Sequence, residues 1–183
     1  KKSIPKPTLV TEDDDEYKTS EDEAEEEDSG EDDPNLPARC TEPDAADSFP
    51  AMPAEGHTPG DDDYGKAGEK KMAANEKKGA GDWAGVVALL TEALLLAPSP
   101  LTFAKRAEAL LKVSPPRPNA AIADCDAALA INPDSAKSLK IRGAAHAALG
   151  EWVKAAADLR TACRFDHDPK TDALRKAVQP KVG

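Results

Sequence analysis

The sequence has little with which to build an active site. Among its 183 residues are only three cysteines and three histidines. Cys40, Cys125 and Cys163, taken with His57, His146 and His167, show no spacing that would hold a zinc ion. No Cys–His pair, Ser–His–Asp set or glycine-rich phosphate loop stands out. Catalysis, a metal and a cofactor are therefore not expected. Aromatic residues make up 4% of the chain and arginines are few, which disfavours nucleic acid as a partner. No apolar run is long enough to cross a bilayer, so no membrane partner is expected. No secretory leader is recognisable. An odd number of cysteines suits reduced thiols and a cytoplasmic protein.

What the chain does have is charge, unevenly placed. Residues 1–65 carry 22 acidic and 5 basic side chains, whereas residues 66–183 carry 13 acidic and 19 basic ones. Residues 12–33 hold 15 acids and one lysine. So little apolar surface cannot offset the entropy of ordering the chain, and residues 1–65 are expected to be a disordered acidic, proline-rich linker. Its Ser20 and Ser29 each have an acid three residues on, which suits an acidophilic kinase. Removing residues 1–60 is expected to leave helicity and melting unchanged.

The remainder repeats. Ala121, Cys125, Ala128 and Pro133 lie at offsets 0, 4, 7 and 12, and Ala155, Leu159, Ala162 and His167 lie at the same offsets 34 residues later. Val86, Leu90, Ala93 and Pro98 stand 35 residues before the first set. A period near 34 with small residues at fixed places is the signature of tetratricopeptide (TPR) repeats, each a pair of antiparallel helices. The expected fold is all-α, an α-solenoid of three repeats at about 66–98, 99–133 and 134–167, with a capping helix at about 170–179. The first helix, from about Gly68 to Gly79, is the weakest, because Lys70 and Lys77 stand where bulky apolar groups are usual. The SPPRP turn, Ser114 to Pro118, is about two residues longer than a standard turn. Cys125 and Cys163 read as small core residues and His146 as a packed residue rather than a base. Asp124, Asp126 and Asp158 are expected to be solvated or paired with nearby bases.

The first helices of such a stack line a concave groove. Lys71, Asn75, Lys78, Lys105, Lys137 and Lys140 are expected to face it, giving five cations and no acid. Such a lining should attract carboxylates from a peptide or an acidic protein surface.

The segments AKRAEALLKV (Ala104 to Val113), PNAAIADCDAALAINPDSAK (Pro118 to Lys137), IRGAAHAALGEW (Ile141 to Trp152) and LRKAVQP (Leu174 to Pro180) resemble the TPR domain of the Hsc70-interacting protein family. Glu42, Pro43 and Asp44 extend the resemblance more loosely into the linker. It implies a cochaperone segment that binds the ATPase domain of a 70-kDa heat-shock protein and stabilises its ADP-bound state. It also implies a longer protein, dimeric through an N-terminal domain lying outside this sequence. Some TPR cochaperones instead clamp an acidic chaperone tail. Lys71, Asn75 and Lys137 match that pattern, but Lys105 stands for an asparagine and Ile141 for an arginine. Plant relatives that join a similar TPR region to thioredoxin imply a third role, as the docking half of an enzyme. A fourth is a scaffold in a larger assembly.

Overall fold

The computed structural model describes residues 33–183. The acidic run up to residue 32, with Ser20 and Ser29, lies outside the described residues. Among those described, regular structure is helical throughout. Helices α1 (Asp61–Gly79) and α2 (Trp83–Leu96), α3 (Pro100–Lys112) and α4 (Pro118–Ile131), and α5 (Ala136–Leu149) and α6 (Trp152–Phe165) form three successive pairs. Helix α7 (Pro169–Val178) caps the stack and runs into a 3-10 turn over Gln179–Val182. This is a three-repeat TPR domain with a capping helix.

Local chemistry sets the helix ends. The side chains of Asp82, Ser99, Ser135 and Asp168 accept from the backbone N–H of Gly85, Thr102, Ser138 and Thr171. Pro100, Pro118 and Pro169 occupy first turns, where no N–H is needed. Gly150 ends α5 at φ +76°, a conformation that disfavours any side chain. The small repeat positions then let the helices close. Ala93, Ala121, Cys125, Ala128, Ala155 and Ala162 are all fully buried. At Gly143, even a Cβ would come within 2.8 Å of Leu159 Cγ. Val178 and the partly buried Leu174 of α7 cover the last pair, packed with Ala155, Ala156 and Leu159.

The structure departs from the expected linker in two ways. First, α1 begins at Asp61, seven residues before Gly68. Asp61, Asp62 and Asp63 suit the positive end of the helix dipole. The Gly60 N–H also donates to the Asp63 carboxylate at 2.8 Å. Second, residues 33–60 form an extended strap fastened along the solenoid. Leu36, like Trp152, Leu174 and Val182, packs against the buried cluster of Ala147, Ala155, Ala156, Leu159 and Val178. The Cys40 N–H donates to Ala148 O at 2.8 Å, and the Arg39 guanidinium stacks 5.3 Å from the Trp152 ring centre. Asp44 caps α4 from outside the repeat: its two carboxylate oxygens accept from the Asn119 and Ala120 N–H groups, each at 2.8 Å. Arg117 donates to Ser48 O, and Phe49 packs on the core around Leu110 and Cys125. The strap ends with His57 Nε2 3.0 Å from Leu96 O.

One core feature depends on the strap. Arg106 is wholly buried and grips Asp124 with two hydrogen bonds, at 2.7 and 2.6 Å. Its remaining donors reach Ala51 O at 2.8 Å, Thr91 Oγ1 at 3.1 Å and Met52 Sδ at 3.0 Å. Asp124 is thus paired and buried rather than solvated.

Candidate partner-binding groove

The first helix of each pair, α1, α3 and α5, carries the expected groove residues. At one end, Asn75, Lys78 and Lys105 surround a small hollow with Trp83, Val86 and Glu108. Toward the other end, Lys112, Lys137, Lys140 and Lys170 rim an open groove of about 510 Å³. Its floor is apolar, with Leu111, Ile141, Ala144, Leu159 and Leu174, and Pro34 and Asn35 of the strap reach its edge. Glu108 lines both parts and joins them. Lys71 lies on α1, half-buried, and lines neither.

The groove is less purely basic than the residue pattern suggested. Glu108 is an acid within it, and three ammonium groups surround its carboxylate: Lys78, Lys112 and Lys137, each at 3.7 Å. The sequence held the signal. Asn75, Glu108 and Ala144 each follow the small residue of their first helix (Ala74, Ala107, Gly143), so Glu108 shares the row that places Asn75 in the groove. Lys112 and Lys170 were likewise missed. Lys140, by contrast, is already engaged, 2.6 Å from both Asp166 and Asp168. Burial alone would lower its pKa, but those two carboxylates outweigh it and the net shift is upward. Among the described residues, Lys71 and Lys105 make no ion pair.

Elsewhere the titratable groups are structural. Arg142 repeats the Arg106 arrangement, with bonds to Asp158 at 2.7 and 2.8 Å and to Asp126 at 2.7 Å. His146 is buried, its Nδ1 2.5 Å from Glu151 Oε2 and its Nε2 3.9 Å from Asp158. Burial pushes the Cys125 thiol well above its ordinary range, so it is an inert core group. No cluster of three or more metal-ligating side chains occurs among the described residues. No described helix is long and apolar enough to cross a membrane.

No protein-family model matches the chain. It is 39% identical over 140 residues to Hsc70-interacting protein 1 of Drosophila melanogaster, a match covering 75% of this chain and 37% of that protein. That span is longer than the helical domain, so it takes in part of the strap. The chain is also 41% identical over 123 residues to the TPR repeat-containing thioredoxin TDX of Arabidopsis thaliana, covering 67% of this chain and 32% of that one. It therefore spans only about a third of the length of these curated relatives. Among solved structures, the TPR2B-domain:pHsp70 complex of yeast Sti1 superposes with a TM-score of 0.58 at 26% identity. The overlap is 63% of this chain and 98% of the yeast one.

Proposed function

This chain carries a TPR domain of the Hsc70-interacting protein family, and from that premise we propose that its groove docks on a 70-kDa heat-shock protein. The observation that carries the proposal is the gathering of lysines from three different helices. Lys78 comes from α1, Lys105 and Lys112 from α3, and Lys137 from α5. A folded partner with an acidic lobe would meet them together. The ATPase domain is such a partner in this reading, and the domain acts by binding its ADP-bound state more tightly than its ATP-bound state. A ligand shifts a two-state equilibrium only by its differential affinity for the two states. Asn75, Lys78, Lys105 and Lys137 make the contacts from within the groove, and Lys71 adds to them from beside it on α1. Lys140 contributes less, because two carboxylates already hold it. The domain is a binding module of a cytoplasmic cochaperone, not a catalyst.

Calorimetric titration of the full chain into the isolated ATPase domain, with ADP and with ATP, tests this. Tighter binding with ADP is expected, and Lys105→Glu with Lys137→Glu should weaken it while leaving helicity intact. Equal affinity in the two nucleotide states would remove the state-selective part of the reading. Unchanged affinity in the double variant would remove the groove.

A second reading has its own support, because the yeast domain similar to this one at 26% identity is a complex with pHsp70. Lys71, Asn75 and Lys137 suit an acidic chaperone tail, but Ile141 offers the groove floor no charge. Binding of the tail peptide without binding of the ATPase domain would select this alternative.

A further inference from the structure

We propose that Glu108 is a built-in competitor for the groove's anion site and sets its preference for partners with several clustered carboxylates. The proposal deepens the groove reading and rests on it. Three ammonium groups, from α1, α3 and α5, gather around one carboxylate: Lys78 and Lys112 stand 3.7 Å from Oε1, and Lys137 stands 3.7 Å from Oε2. These distances exceed a hydrogen bond, so the lysines surround Glu108 without being fixed to it. All four side chains keep solvent access, with Glu108 28% exposed and the lysines 42–48% exposed. An incoming carboxylate can therefore reach the same three cations.

Glu108 acts on such a ligand in two ways. It partly neutralises the lysines in the empty groove, and it repels the ligand's charge at short range. A single carboxylate gains little by replacing it. A ligand with several acidic groups engages Lys105 in addition to the three lysines around Glu108, and its summed attraction exceeds the repulsion from one glutamate. The neighbours in the same row, Asn75 and Ala144, are neutral, and the groove's other carboxylate, Asp168, is engaged by Lys140 at 2.6 Å, so this discrimination resides at Glu108.

The test uses the full chain and three probes, a hexaglutamate peptide, a peptide with a single glutamate and the ATPase domain of a 70-kDa heat-shock protein. In Glu108→Gln, hexaglutamate should bind about fivefold tighter at low ionic strength, with the gain shrinking toward 1 M salt. A peptide with a single glutamate should gain proportionally more, narrowing the preference. Glu108→Asp, which keeps the charge, should stay close to wild type. Unchanged or weaker hexaglutamate binding in Glu108→Gln, with an unaltered melting midpoint, overturns the proposal: Glu108 would then merely position the lysines. Absence of hexaglutamate binding to both proteins overturns it too. The groove reading fails separately if Lys137→Glu leaves hexaglutamate binding intact. The chaperone reading fails separately if the ATPase domain ignores a groove that binds hexaglutamate as expected.

Discussion

Repeats two and three contain the same ion pair, finished in different ways. Arg106 and Arg142 each precede the small residue of their first helix, and each grips an aspartate in the second helix through two hydrogen bonds. Asp124 and Asp158 hold equivalent places, three residues after Ala121 and Ala155. In the first repeat those places hold Ala73 and Leu89, and the device is missing. The Arg106 pair is sealed by the strap, whose Ala51 carbonyl takes an arginine donor. The Arg142 pair has no such cover: Arg142 remains 25% exposed and spends its spare donor on Asp126 of the preceding repeat. The repeat thus supplies the slot, and whatever lies outside it decides whether the charges are buried. A buried pair contributes little net stability when intact but is costly to break from one side, whereas a wet pair is forgiving in both respects.

The largest effect should come from breaking the two pairs in parallel. Arg106→Met leaves Asp124 buried without its partner and should destabilise by about 3–5 kcal/mol. Arg142→Met leaves Asp158 with a little solvent access, 11% of its side chain, and with His146 Nε2 3.9 Å away, and should cost less, about 1–2 kcal/mol. Denaturant unfolding of the two variants measures the difference. Equal losses would mean that the strap does not control the burial of Arg106. Adding Asp124→Leu to Arg106→Met should recover much of the loss, because the stranded charge is then gone.

The strap is also where sequence reading and structure part. The repeats were legible because burial at a period near 34 leaves alanine, leucine and cysteine at fixed offsets, and those side chains are buried as the pattern required. The strap has no period. It is held by contacts to residues far along the chain, from His57 to Leu96, 39 positions apart, to Cys40 and Ala148, 108 apart, and one sequence does not display such pairings. Its composition, rich in proline and acid, reads as unable to fold alone, and in the structure it lies on a surface made by the helices. The start of α1 was more accessible. Three consecutive aspartates after a glycine can be read as linker or as a helix N-terminus, and the dipole argument favours the helix. In the groove, the missed Glu108 followed from counting lysines rather than reading down the row of Asn75.

A middle-sized effect therefore tests the strap directly. Deleting residues 1–60 removes the Asp44 cap, the Phe49 contact and the Ala51 acceptor together. It should lower stability by roughly 2–4 kcal/mol, contrary to the expectation that the acidic segment is dispensable. Asp44→Ala alone should account for about 1 kcal/mol of this. The matching change in the open pair, Asp126→Ala, should stay within about 0.5 kcal/mol. If thermal melting of the truncated chain matches that of the whole, the strap is an ornament and the Arg106 site is closed by the helices alone.

The smallest effect concerns the far end, where α7 is held by exposed charge rather than buried charge. Lys140, followed by the Thr171 hydroxyl and N–H, holds the Asp168 carboxyl well below the usual carboxylate range. Lys176 and then Arg175 hold Asp172 at about 2. Both groups ionise more readily in the folded chain than in the unfolded one, where aspartate titrates near about 3.9. Their contribution is therefore complete above roughly pH 5 and is lost as the pH falls through the folded values, because the unfolded chain takes up protons first. The melting midpoint should drop between pH 5 and pH 2, and Asp168→Asn should start lower and fall less steeply. The asparagine can still cap α7, so the difference isolates the charge. Salt should shrink it further, since the Asp168 side chain is 35% exposed. An acid limb of the same slope in both proteins would show that the cap over the last repeat is held by Leu174 and Val178 packing, as the strap is held by Leu36 and Phe49, and not by its surface ions.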